Sequence, residues 1–200
     1  MGLGGGPSEW DEYEWFRLAD LPPAPEAAQA TPDPFGEVLC GLVQGYPVWA
    51  DAPRVLLVDL DNLRAAPGRL RARMAVVVEL ARQADHVALA GQVGAVARAR
   101  PWLAEFAARA QAVPDGADVA DLVLLAAAQA VEGPIETLIV SNDGIFAELA
   151  ERGDLTVLSP GMDALSDRLY GAASLLIDLA ALEREAAALV AEETSGARTR

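Results

Sequence analysis

The sequence predicts a three-layer α/β/α protein with a central parallel sheet, and three observations carry that expectation. From residue 54 onward, short apolar runs of strand length alternate with longer helical stripes, as in strands joined by right-handed crossover helices. Two of the runs, RVLLVDLDNL at 54–63 and TLIVSND at 137–143, are apolar without alternation, the signature of strands covered on both faces. Both end in acids and amides, and in an open parallel sheet ligands bind outside the carboxyl ends of the strands.

The elements follow in order. Residues 1–52 mix Gly-rich, acidic-aromatic and Pro-rich stretches and are expected to form an acidic N-terminal arm. Within it Trp10, Trp15 and Phe16 could dock a protein partner or fold back on the domain, and 36–49 is apolar enough for a short element packed on the core. After the first strand a Pro67-Gly68 turn leads into a helix at 69–82, with Leu70, Met74, Val77, Val78 and Ala81 on one face and arginines opposite. A strand is expected at 86–90 and a helix at 93–110, kinked or begun at Pro101. Asp115 is a candidate N-cap for a helix at 117–131, which Gly133-Pro134 ends. Then come a strand at 137–140, a short helix at 146–151, a strand at 155–158 and a long amphipathic helix at 166–193. The leucines of that last helix, Leu175, Leu176, Leu179, Leu182 and Leu189, offer a packing face or a homodimer seam. The domain is thus expected over 53–193, with a flexible tail at 194–200.

Composition narrows the function classes. With 200 residues, 52% of them hydrophobic, the chain has enough material for one well-buried domain with tails. Cys40 is the one cysteine, so no intramolecular disulfide or cysteine zinc knuckle can form, and a reducing cytoplasm fits. No apolar stretch has the length of a membrane span, and the first residues carry no export or lipidation pattern. The net charge of −15 is unevenly spread, because residues 54–109 hold nine arginines against five acids. Any nucleic-acid contact is therefore expected from Arg64, Arg69, Arg71, Arg73, Arg98 and Arg100.

Three groups of acids sit where such a fold gathers residues. Asp59 and Asp61 follow the first strand, Asp118 and Asp121 open a helix three residues apart, and Asp143 follows the strand TLIV. Crowded carboxylates repel one another and hold protons unless a cation neutralises them. Mg²⁺ or Mn²⁺ is the expected cation, and with it hydrolysis of phosphodiesters without His or Cys. His86, the one histidine, begins a strand and reads as a core or edge residue, and GLGGGP at 2–7 follows no strand and so is no phosphate loop.

At these residues the chain resembles the NYN group of PIN-like metal-dependent ribonucleases, over about 54–173. VLLVDLDNL is similar to that family's opening strand, GADVADLVLLAAA to the helix with its second acid, and LIVSNDGIFAELAERGDLTVLSP to its Ser-x-Asp-x-Asp-Phe run, short helix, Gly and strand. The resemblance implies a PIN-like fold, an acidic Mg²⁺ or Mn²⁺ pocket and RNA as substrate. Asp59 then matches the first carboxylate, with Asn62 beside it. Either Asp118 or Asp121 matches the second acid. Ser141 and Asp143, with Asn142 between them, match the third motif, and Phe146 its aromatic anchor. Ile145 stands where the family has its second Asp, so restoring an acid there is expected to tighten Mn²⁺ binding. Two alternatives accompany this expectation. One is a degenerate PIN-like module that binds RNA or protein without cutting. The other is a haloacid-dehalogenase-type phosphatase, whose Asp-x-Asp strand LLVDLDNL also resembles, with Asp59 as nucleophile and Asp61 as acid/base. That second family uses a later Lys or Arg, and this chain has no Lys.

Overall fold

The computed structural model describes residues 33–49 and 53–197. Six parallel strands form one sheet: β1 (Arg54–Asp59), β2 (His86–Gln92), β3 (Ala110–Val113), β4 (Glu136–Val140), β5 (Leu155–Ser159) and β6 (Leu175–Asp178). Their order across the sheet is β3-β2-β1-β4-β5-β6. The chain therefore winds outward from β1 to one edge, returns to the middle at β4, and winds outward to the other edge. Connections leave in opposite directions at the β1/β4 boundary, where a doubly wound sheet opens a crevice.

The helices are α1 (Pro34–Gln44), α2 (Pro67–Gln83), α3 (Val93–Ala99), α4 (Val119–Gln129), α5 (Asp167–Ala172) and α6 (Leu179–Ala197). One apolar layer joins Leu56 and Val58 of β1 and Leu138 and Val140 of β4 to α1, α2, α3 and α6. The other joins Val55, Leu57 and Ile139 to α4, α5 and the 3₁₀ helix Gly144–Arg152, whose Phe146 is fully enclosed. β1 is thus apolar on both faces, as its uninterrupted run predicts.

The three-layer α/β/α architecture with a parallel sheet is what the chain adopts, and individual elements differ from their expected form. The helix expected over 93–110 is α3 followed by 3₁₀ turns Arg100–Trp102 and Ala104–Arg109, and the chain then enters β3. Pro101 cannot continue an α-helical ladder. The helix expected over 166–193 is broken into α5, the edge strand β6 and α6. Leu175 and Leu176 belong to that strand, and Leu179 and Leu182 are buried in the protein's own core, leaving Leu189 exposed. The described part of the expected arm, residues 33–49, belongs to the domain: Asp33 caps α1 by accepting from Gly36 N at 3.0 Å, and Leu39 and Val43 pack in the first layer. Trp10, Tyr13, Trp15 and Phe16 lie outside the described residues, as do 198–200; α6 runs to Ala197 through most of the expected tail.

Two local features fasten the end of the sheet opposite the acids. Arg152 donates to the carbonyls of Ala128, Val131 and Gly133 at 2.5–2.7 Å, tying down the carboxyl end of the helix whose amino end carries Asp121. Gly153, at φ +148°, brings the chain against the Ile135 carbonyl so closely that a Cβ would collide with it. No helix among the described residues is long and apolar enough to cross a membrane.

Candidate metal centre

The end of β1 delivers Asp59 into the crevice, where it is only 2% exposed. Its carboxylate is held from several sides. The backbone N–H of Asp61 donates to Oδ1 at 2.9 Å, Ser141 Oγ donates to Oδ2 at 3.2 Å, and Asn62 Nδ2 donates to Oδ2. Ser141 comes directly after β4, which pairs with β1 in the register Val58↔Val140, so the hydroxyl lies next to the acid across the ladder. The Ser141 hydroxyl also accepts from the Asp143 N–H at 3.2 Å, and Asn62 Nδ2 reaches Asp143 Oδ2 at 3.4 Å. Asp143 itself is exposed at the rim.

Asp121 completes the group from the first turn of α4, 6% exposed. One carboxylate oxygen from each of Asp59, Asp121 and Asp143 lies within 4.8 Å of the other two. Asp121 is pushed up to about 7, by burial first and then by the charges of Asp59, Asp143, Asp118 and Asp61. Burial raises Asp59 as well, against the pull of its hydrogen bonds from Asn62, the Asp61 N–H and Ser141. Unneutralised negative charge is therefore concentrated here. The hollow encloses about 150 Å³, room for a cation with some of its water.

The structure divides the sequence-expected residues. Asp121 joins the group and Asp118 does not: Asp118 is exposed at the N-cap of α4 in the left-handed region, φ +61°, and makes no side-chain cap bond. Asp115, expected as the N-cap, lies outside that position. Asp61 also stays out of the group. It sits in the turn beyond the strand, where its carboxylate accepts from Gln92 N at 2.8 Å and pairs with Arg64 at 3.1 Å. Asn142 supports from behind, with Oδ1 accepting from Ser159 Oγ at 2.6 Å and Nδ2 donating to the Gly161 carbonyl at 3.2 Å. Ser159 and Gln92 are contributions that sequence reasoning missed. The signal for Ser159 was available, since it ends β5 as Ser141 follows β4. Ile145 is half-buried against the second apolar layer and does not line the acidic hollow, so an acid at 145 would enter that layer first.

The arginines divide too. Arg73 is buried and paired with Glu183, out of reach of a phosphate, and Arg71 pairs with Asp33 at 3.4 Å and lies over the Trp102 ring. Arg64 and Arg98 face open hollows at the site, Arg69 is exposed at the start of α2, and Arg100 is half-buried. His86 is exposed at the amino end of β2, the opposite end of the sheet from the acids. The Cys40 thiol, held at about 11 by burial and nearby acids, lines a separate hollow between α1 and α2. No family model matches the chain, and no curated protein matches it.

Proposed function

We propose that this chain is a divalent-cation-dependent ribonuclease of the PIN-like, NYN kind, hydrolysing RNA phosphodiesters at the hollow beside β1 and β4. The observation that carries the reading is the meeting of Asp59, Asp121 and Asp143 within 4.8 Å at the switch point of a parallel sheet. Three hard anionic oxygen donors and no imidazole or thiolate suit Mg²⁺ or Mn²⁺. A bound cation of that kind supplies charge neutralisation at a phosphoryl oxygen and a water of lowered pKa. The chain's own residues do the rest. Ser141 and Asn62 fix the Asp59 carboxylate, Asn62 bridges it to Asp143, and the exposed Asp143 forms the wall that an incoming phosphodiester meets. A reducing, cytoplasmic setting belongs to the same proposal.

A second reading, a module that binds RNA without cutting, is favoured by the number of acids that meet, since three carboxylates gather at the hollow and Ile145 packs against the apolar layer instead. The phosphatase reading fits less well, because the acid/base it needs, Asp61, is engaged by Gln92 N and Arg64. Calorimetric titration of Mn²⁺ into wild type and Asp59→Asn, beside cleavage of a labelled oligoribonucleotide, tests the proposal. Binding and cleavage that both vanish in the variant support it. Cleavage unchanged by the substitution overturns it, and Mn²⁺ and RNA binding without cleavage selects the binding module.

A further inference from the structure

The hollow holding the acids shares a wall with a larger one. Arg64 and Gln92 line both, and beyond them a space of about 600 Å³ opens, bounded by Gly94, Arg98, Pro114 and Asp115. Arg64 straddles the divide: its Nη2 donates to Asp61 at 3.1 Å and to Gln92 Oε1 at 3.4 Å, and its side chain is 60% exposed. We propose that this second hollow is a phosphate subsite for the RNA strand leading away from the acidic pocket, with Arg64 and Arg98 as its binding residues. The proposal rests on the nucleic-acid reading above and adds to it a direction for the strand.

The charge distribution favours it. The acidic hollow presents Asp59, Asp61, Asp118, Asp121 and Asp143 against Arg64, whereas its neighbour sets two guanidiniums against Asp115. A strand with one phosphate at the acids needs cationic contacts for the next, and this side offers them. Other arginines of the basic stretch are held elsewhere: Arg54 by Asp85, Arg71 by Asp33, Arg73 by Glu183 and Arg82 by Glu105. Arg64 is easily redirected, because an exposed ion pair contributes little to stability. Its guanidinium has five N–H donors, and Asp61 and Gln92 engage Nη2 alone. The Arg98 guanidinium folds back over Gly94, its Nη1 3.4 Å from where a Cβ of residue 94 would sit.

Fluorescence anisotropy with a labelled single-stranded oligoribonucleotide, over a salt series and with or without Mn²⁺, tests the subsite on the full chain. Arg64→Ala and Arg98→Ala are each expected to weaken binding and to reduce the slope of log K against log salt by about 0.7, the value for one single-strand phosphate contact. Asp115→Asn is expected to strengthen binding, and Arg109→Ala, at the amino end of the sheet, to leave it unchanged. Wild-type slope in both arginine variants overturns the proposal, as does an equal loss in Arg109→Ala or no RNA binding by the wild-type chain. The two readings fail separately. Arginine-dependent binding without Mn²⁺ uptake or cleavage removes the nuclease and keeps the subsite. Asp59-dependent cleavage with unaltered binding in the arginine variants does the reverse.

Discussion

Arg73 and Glu183 form a buried, two-pronged ion pair, Nε to Oε1 at 2.6 Å and Nη2 to Oε2 at 3.1 Å, that fastens α2 to α6 across 110 residues of sequence. Arg73 Nη2 also reaches the Pro160 carbonyl at 3.5 Å, just beyond β5. Removing one partner leaves an uncompensated buried charge, so Arg73→Ala is expected to cost about 3–5 kcal/mol in urea unfolding. Arg73→Met with Glu183→Met is expected to recover much of that. A loss no larger than a surface substitution gives would show the pair to be solvated.

The proposed cation site has an internal control. Asp59→Asn is expected to lower Mn²⁺ affinity by more than the roughly 10- to 100-fold that losing a supporting residue costs, and Ser141→Ala by about that amount. Asp61→Asn, two residues from Asp59 but engaged by Gln92 and Arg64, is expected to leave it nearly unchanged. Calorimetric titration of the three variants gives the order, and a larger effect at Asp61 than at Asp59 would relocate the site.

Asp121 gives the fold a pH dependence of definite sign. Its folded value of about 7 lies above the ordinary 3.8, so between the two the native state holds a proton that the unfolded chain has released. Its contribution to stability is therefore full below about 3.8 and is lost as pH rises through about 7. Asp121→Asn is expected to melt higher than wild type at about pH 8 and to lose that advantage toward pH 4. Mn²⁺ is expected to narrow the gap at the higher pH. Parallel melting curves across the range would place the proton elsewhere.

Ile145→Asp is expected to act on packing before chemistry. With the side chain half-buried against the second apolar layer, the new carboxyl is expected to cost about 1–3 kcal/mol and to leave Mn²⁺ affinity close to wild type. A tightening of 10-fold or more would mean that residue 145 turns into the acidic hollow, as the family resemblance implies.

The sequence made the middle of the sheet legible and its edges obscure. β1 and β4 announce themselves because strands covered on both faces need uninterrupted apolar runs. β3, Ala-Gln-Ala-Val, has little of the branched bulk that marks a strand, and it follows an Ala-rich helical stretch. β6 was hidden because Leu175, Leu176, Leu179 and Leu182 fit helical spacing as well as they fit a strand followed by a helix. At the site, Asp59 and Asp61 look equivalent in sequence, but the turn after β1 directs the second toward Gln92. Nothing local marks Arg73 as buried, since Glu183 comes from a helix more than a hundred residues away.

β1 is apolar on both faces, and that has a consequence for how the chain finds its alignment. A strand with one wet face is locked in place because a one-residue slip would turn its apolar side to water; a strand covered on both sides lacks that lock. In β1 the polar ends supply it. Arg54 grips Asp85 through both its backbone N–H and its guanidinium at one end, and Asp59 meets Ser141 at the other. A slip of one position would take Asp59 away from the Ser141 hydroxyl and break the Arg54 grip together. The residues proposed for chemistry thus also help to select the strand alignment, so a chain stripped of both ends would risk folding with its central strand out of step.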